Sequence, residues 1–292
     1  MATNQTGIRG AVLVTGASTG IGEACALHLD RLGFHVFAGV RKEVDGESLK
    51  GRVSGRLTPV FIDVTDDASI AAAADSVARA VAGAGLAGLV NNAGIVVPGP
   101  LEFLPLGDLR GQIEVNVIGQ IAVTQAFLPL LRRGFGRIVN IGSVGGRLAT
   151  PFLGAYNASK FAMEALTDSL RMELRPWRIS VSIVEPGSIA TRIWDKGQGA
   201  ADKLLEKLPQ EGHELYDAAV AAMRQAADKS ARRAIPPSAV ARAVAHALTA
   251  RRPRTRYLVG RDAHLQAVVA RIVPDRMRDW LVVQQMGLPR NA

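Results

Sequence analysis

The chain has one cysteine, Cys25. A single thiol excludes an internal disulfide framework and points to a cytoplasmic setting. Its position after a Gly-rich turn reads as a small core residue. The five histidines are scattered without paired ligand spacing, so no metal site is expected. Apolar runs are short and broken by Gly, Arg or Asp, which argues against a transmembrane span. The opening MATNQTGIRG lacks the basic-then-apolar order of a signal peptide. Aromatics make up only 5% of the chain, and the arginines between Arg224 and Arg261 alternate with alanine instead. A stacking platform for nucleic acid is therefore not expected.

Apolar residues are plentiful: 48% of 292, enough for the core of one large α/β domain. The 35 basic and 26 acidic residues leave a formal charge of +9. That excess reads mostly as solvated helix faces, and it also suits a phosphate-bearing cofactor or peripheral contact with an anionic membrane.

Residues 1–9 read as a flexible arm. AVLVTGASTGIGEACALHLDRLG then reads as a buried strand, a Gly-rich turn and an amphipathic helix. FHVFAGV and LTPVFIDV are the next two strands, separated by a polar, Gly-containing stretch. Asp66 or Asp67 can cap the Ala-rich helix that follows. AGLVNNAG, GRIVNIGS, RISVSIVEPG and TRYLVG complete seven strands. A long helix carrying Asn116, with a break at Gly119, precedes the fifth strand, and a helix from the region of Tyr156 to Arg175 follows it. Strands alternating with helices predict a doubly wound parallel sheet with helices on both faces. In residues 188–235 the alternation gives way to a polar, Ala-rich, largely helical segment, placed where a substrate lid would sit. Residues 10–260 are read as one domain that includes this segment. Residues 261–292 form a tail of two short helices parted near Pro274.

Two constellations carry chemistry. Thr15-Gly-Ala-Ser-Thr-Gly-Ile-Gly22 lies between a strand and a helix. Gly16, Gly20 and Gly22 let the backbone turn tightly and approach a pyrophosphate, while Ser18, Thr19 and Ile21 aim donors at it. Further on, Tyr156 and Lys160 stand four apart, so they share one helix face. A free phenol has a pKa of about 10 and is a poor base near neutrality. A nearby ammonium favours the phenolate. Tyr156 so tuned can exchange a proton with a carbonyl or alcohol, and Ser143 can hold that oxygen.

With TGASTGIG at 15–22, Asp63 after the third strand, NNAG at 91–94, Asn116, Ser143, YNASK at 156–160 and PG at 186–187, the chain resembles the short-chain dehydrogenase/reductase family over roughly residues 8–260. GFHVFAGVRK and the tail resemble, less specifically, its branch of retinol, hydroxysteroid and hydroxybutyrate dehydrogenases. The resemblance implies a single Rossmann-type domain and a hydride transfer to or from NAD(P). It implies that Tyr156 is the general acid/base, that Lys160 lowers its pKa and binds the nicotinamide ribose, and that Ser143 orients the substrate. Asn116 would hold a water linking Lys160 to solvent. Asp63 and Val64 would fix the adenine end. Asn91, Asn92, Ala93 and Gly94 would line the cofactor, as would Pro186 and Gly187, with Ile189 and Thr191 at the carboxamide. It also implies a homodimer or homotetramer.

The second strand ends in Val40-Arg41-Lys42, with no acid to accept ribose hydroxyls. A guanidinium forks well onto a 2′-phosphate, so NADP is favoured; NAD is the alternative, because Arg also stacks on adenine. Leu148, Phe152, Leu153, Ile189, Trp194 and Leu204 suggest an apolar pocket for a hydrophobic alcohol, ketone or aldehyde, with Arg147 and Arg192 the only cations aimed inward. A nucleotide-binding regulator of the same fold is the alternative function. Such proteins often lose the Tyr or the Lys, and this chain keeps both.

Overall fold

The computed structural model describes residues 9–288 apart from 53, 194–198, 200, 203 and 207. Strands β1 (Ala11–Val14), β2 (His35–Val40), β3 (Leu57–Phe61), β4 (Gly88–Asn91), β5 (Arg137–Ile141), β6 (Ser180–Pro186) and β7 (Arg256–Val259) form one seven-stranded sheet in the order β3-β2-β1-β4-β5-β6-β7. Every pairing is parallel. The helices are α1 (Gly20–Arg31), α2 (Glu43–Lys50), α3 (Asp67–Ala80), α4 (Leu106–Ile113), α5 (Gly119–Arg133), α6 (Gly154–Glu173), α7 (Gln210–Arg232), α8 (Ser238–Thr249), α9 (Arg261–Ile272) and α10 (Asp275–Met286). The chain winds outward from β1 to β3, then returns to β4 on the other side of β1. Winding reverses there, and a crevice opens beyond the carboxyl ends of β1 and β4.

Both faces of the sheet are covered, which is why its strands read as nearly continuous apolar runs. Val12 and Val14 join Leu29 of α1 and Val240, Val244 and Leu248 of α8 in one core. Leu13 and Leu89 point the other way, toward Val77 of α3 and Val123, Phe127 and Leu131 of α5. The capping question at α3 resolves in favour of Asp66, whose carboxylate accepts from the Ala68 amide at 3.0 Å.

Two elements differ from expectation. The polar stretch after β2 forms α2. Glu43 and Asp45 lie in its first turn, where negative charge suits a helix start, and Leu49 is its buried anchor. One anchor leaves no periodicity to read. Second, α4 and α5 are joined by a π turn, Glu114–Ile118, into a helical run of 28 residues. By length and composition this run could cross a membrane, contrary to the reading of broken apolar runs. Its glycines and Arg110 interrupt the letters but not the helix. Val123, Phe127, Leu130 and Leu131 carry its apolar side into the core.

Candidate active site

Between β1 and α1, residues 15–19 turn the chain back on itself. Gly16 and Gly20 have φ of +62° and +64°, in the left-handed region. A Cβ on Gly22 would lie 2.2 Å from the Gly16 carbonyl oxygen, so no side chain fits there. The Asn92 amide nitrogen donates to the carbonyls of Thr15 and Gly16 at 2.9 and 3.1 Å. The Thr15 hydroxyl oxygen accepts from the amides of Asn92 and Ala93 at 2.9 and 3.0 Å. The turn is thus clamped to the end of β4. Thr19 precedes α1 in extended conformation and its side chain makes no cap bond. The first amides of α1 are left to whatever lies in the crevice, and such a helix start attracts phosphate. Ser18 and Ile21 flank it, half-buried.

Arg41 follows β2 directly and is exposed. Asp63, after β3, accepts from the Thr65 amide and hydroxyl at 3.0 and 2.8 Å. The Thr65 amide bond does most to hold the Asp63 carboxyl below its ordinary pKa, with the charge of Arg41 a smaller contribution. A cation and an acceptor therefore face each other across the ends of β2 and β3. With the bare cradle and the uncapped α1, this donor set fits a dinucleotide. Val64 packs its side chain into the core and offers the crevice only its main chain.

At the far end of the crevice, Pro186 closes β6 and the Gly187 amide donates to the Val259 carbonyl at 3.0 Å. Ile189 pairs with Ile235 in an isolated bridge, and its side chain is buried in the core. It too can serve a ligand only through its backbone. Thr191 sits so close to the Gly-rich turn that a Cβ on Gly20 would meet it at 3.2 Å.

Ser143, Tyr156 and Lys160 converge between these ends. The Ser143 hydroxyl accepts from the Gly145 amide at 3.0 Å and is hydrogen-bonded with the Tyr156 hydroxyl. The Lys160 ammonium lies 5.7 Å from the centre of the Tyr156 ring and donates to the Ile141 carbonyl at 2.9 Å. Burial acts on both groups beside any effect of one on the other. Burial pushes the Tyr156 pKa up, and the bond with Ser143 only partly offsets this. Burial also brings the Lys160 ammonium down to about 8. Burial thus acts on both groups, raising the phenol and lowering the ammonium.

Two asparagines are held by side-chain bonds, and of these Asn91 sits differently from expectation. Asn116 lies in the π turn and is fully buried. Its amide bonds the Ile95 N–H and carbonyl at 2.8 and 3.0 Å and the Ser159 hydroxyl at 3.1 Å. The side chain ties the π turn to α6, which leaves only its main chain for a relay to Lys160. Asn91 is turned away from the crevice. Its amide donates to Thr124 at 2.8 Å and to Asn140 at 2.9 Å, and Asn140 donates to Thr167 at 2.8 Å. This buried polar chain links β4 and β5 to α5 and α6. Gly94 faces Asn116, and the Ala93 carbonyl accepts from Gln120 at 3.0 Å.

On the substrate side, Leu204 packs with Leu104 and with Ala155, the neighbour of Tyr156. Leu148 is buried, and Leu153 and Phe152 are half-buried. Phe152 and Phe103 each meet Tyr216 of α7 edge-on, with ring centres 6.0 and 5.9 Å apart. Trp194 lies outside the described residues. Arg147 does not point into the pocket. It forms a two-pronged ion pair with Glu185, which is completely buried. Arg192 is exposed.

Residues that sequence reading passed over brace the site from behind. Arg256 of β7 donates to Glu164 at 3.1 Å and Asp168 at 2.7 Å on α6, and stands 3.6 Å from Glu185. Burial first, then the charge of Glu185, pushes the Glu164 carboxyl up to about 7. Glu164 is four residues after Lys160, and that spacing was the only available signal. Asp262, from the tail, reaches the turn after β6 and accepts from the Ser188 amide at 2.6 Å.

Comparison with known proteins agrees with this fold. The family model for short chain dehydrogenases matches residues 10–201. The 17-beta-hydroxysteroid dehydrogenase type 6 of Bos taurus is 37% identical, covering 96% of this chain and 90% of the relative. Retinol dehydrogenase 16 of Mus musculus is 38% identical with the same coverage. Among solved structures, a short chain dehydrogenase of Burkholderia cenocepacia in complex with NADP is 27% identical, with a TM-score of 0.71 over 97% of this chain and 99% of that one. A short chain dehydrogenase/reductase of Burkholderia phymatum in complex with NAD is 26% identical, with a TM-score of 0.74 over 90% and 92%. The parallel sheet with its glycine cradle, and relatives above 30% identity along almost the whole chain, establish that this protein belongs to the short-chain dehydrogenase family and is an oxidoreductase.

Proposed function

We propose that the chain is an NADP-preferring dehydrogenase/reductase that interconverts a bulky apolar alcohol and its ketone or aldehyde, with Tyr156 as general acid/base. The observation that carries this reading is the convergence of the buried Tyr156 hydroxyl, Ser143 and Lys160 beside a bare glycine cradle and an uncapped helix start. The nicotinamide, when bound, supplies the hydride in reduction and accepts it in oxidation. In reduction the Tyr156 O–H gives its proton to the substrate oxygen, and the Ser143 hydroxyl holds that oxygen in place. A phenol carries its proton at neutral pH, the form that a proton donor needs, and burial pushes the Tyr156 pKa further up. The phenolate left behind is stabilised by the Lys160 ammonium, which the Ile141 carbonyl holds beneath the ring.

Gly16, Ser18, Thr19, Ile21, Asp63, Ala93, Gly94 and the main chain at Ile189 would hold the cofactor, with Lys160 at the ribose and Thr191 at the carboxamide. Arg41, with no acid beside it on the second strand, favours NADP. The Burkholderia relatives carry NADP in one case and NAD in the other, so NAD stands as the alternative. The apolar cluster at Ala155, Leu104 and Leu204, with Phe103, Phe152 and Tyr216 above it, favours a bulky apolar substrate, in keeping with the relatives named for hydroxysteroids and retinol. Residues 188–235 would then form the lid.

We also propose assembly into a dimer or tetramer through α5 and α6 at one interface and β7 at another. Among their residues, Phe161 and Met172 are apolar and exposed, and Ile118 is exposed just before α5. A cytoplasmic setting rests on composition, the lone cysteine being a buried free thiol. The test of function is NADPH oxidation across a panel of apolar ketones and aldehydes, with wild type and Tyr156→Phe. Turnover should fall by roughly a hundredfold or more in the variant while NADPH binding survives. Near-normal turnover in Tyr156→Phe would sink the mechanism, and NADPH binding without turnover on any substrate would point to a regulator.

A further inference from the structure

The turn after β6 is gripped by the tail. Asp262 lies in the first turn of α9, and its carboxylate accepts from the Ser188 amide at 2.6 Å. It reaches that amide because two glycines make room. A Cβ on Gly187 would lie 2.3 Å from the Asp262 carboxylate oxygens, and one on Gly260 would lie 2.4 Å from the nearer of them. Gly260 also has φ of +112°, which turns the chain sharply out of β7 into α9. The three residues are thus fitted to one another: two missing side chains and one carboxylate. Ala263 and Ala267 are buried, which fastens α9 behind Asp262.

The held segment is the one that leads from β6 to the glycine turn. The Gly187 amide is tied to β7 through the Val259 carbonyl. The Ser188 hydroxyl meets the Ser230 hydroxyl near the end of α7 at 2.6 Å. Beyond Ser188 come the bridge of Ile189 to Ile235 and the close approach of Thr191 to Gly20. A shift at Ser188 would therefore move Ile189 and Thr191, while the cradle at Gly16 and the Arg41 and Asp63 pair belong to other strands.

We propose that Asp262 is a positioning residue for the nicotinamide end of the cofactor, acting through the Ser188 amide, and that the tail is through it a working part of the active site. This rests on the cofactor reading above. Asp262 touches neither substrate nor cofactor. It holds the backbone that would.

The test measures equilibrium binding of NADPH and of adenosine 2′,5′-bisphosphate, which keeps the adenosine end and lacks the nicotinamide. If wild type prefers NADH, that cofactor and AMP replace them. Asp262→Ala should weaken NADPH binding about tenfold, the loss expected for a bond to a charged acceptor, and leave the bisphosphate unchanged. Asp262→Asn keeps an acceptor oxygen of the same reach and should stay within about threefold of wild type for both ligands. If Asp262→Ala does not fold, Asp262→Ser takes its place, being polar but too short to reach Ser188. Wild-type affinity for NADPH in the short variant overturns the proposal, and so does an equal loss for both ligands, which marks a merely structural role. Failure of wild type to bind either nicotinamide cofactor would instead remove the cofactor reading itself.

Discussion

Replacing Arg41 with Asp tests the cofactor choice at one position. Arg41, Lys42 and Asp63 together carry one net positive charge at the mouth of the crevice, and Arg41 already acts on Asp63 through space. The substitution makes that sum one net negative charge. Arg41 is exposed, so solvent screens its long-range field, and the relevant scale is that of a single charge-assisted bond. Losing it should lower kcat/KM for NADPH by about ten- to a hundredfold, the equivalent of roughly 1.5–3 kcal/mol. The new carboxylate can accept from the ribose hydroxyls of NADH, an exposed bond that solvent holds to about a few-fold in the other direction. The ratio of the two efficiencies should thus swing by roughly thirty- to three-hundredfold. At saturating cofactor kcat should hold, because Tyr156, Lys160 and Ser143 are untouched. The assay is the ratio of kcat/KM for NADPH and NADH in both proteins, repeated at raised salt, where the wild-type preference should shrink. A wild type that prefers NADH, or a ratio that does not move, would refute the role given to Arg41 and leave the catalytic assignment standing.

Lys160→Ala removes an ammonium assigned to both the phenolate and the ribose, so kcat should fall by about a hundredfold and cofactor affinity by about tenfold. Intact cofactor affinity would show the ribose contact to be wrong. Glu164 keeps its proton up to about pH 7, against an ordinary glutamate value of 4.5. Its folded pKa is raised, so the stability it contributes is full below pH 4.5 and is lost as pH rises through 7. That window spans at most about 3–4 kcal/mol, and residual solvent and the coupling to Glu185 reduce it to about 1–2 kcal/mol. Denaturant titrations should show the pH slope of wild type flattened in Glu164→Gln, and parallel profiles would contradict the assignment.

The sheet was legible because each buried strand is a compact apolar run set between turn residues, and Pro176 and Pro274 punctuate the helices where the chain changes course. The glycine turn and the Tyr156 and Lys160 pair were legible for a related reason: their spacing is local, so sequence distance stands in for spatial distance. What escaped was long-range. Nothing in the letters says that Arg147 turns from the pocket to Glu185, thirty-eight residues on, or that Asp262 returns to Ser188 across seventy-four. The inward turn of Asn91 depends on which face of β4 each residue takes, and a strand apolar on both faces does not reveal that. The raised Tyr156 pKa follows from burial, a property of the whole fold that spacing to Lys160 cannot convey.

The polar chain through Thr124, Asn91, Asn140 and Thr167 also acts as a registration key. β4 and β5 are apolar on both sides, so sliding one past the other by a residue would exchange one greasy face for another with little penalty. Asn91 stands opposite Asn140 in the observed pairing. A slip would strand these buried amides, and the hydroxyls that meet them, without partners, at about 1–3 kcal/mol for each group left unpaired. Ser143 stands two residues beyond the end of β5, so the alignment that matches two asparagines in the interior also sets where the Ser143 hydroxyl emerges.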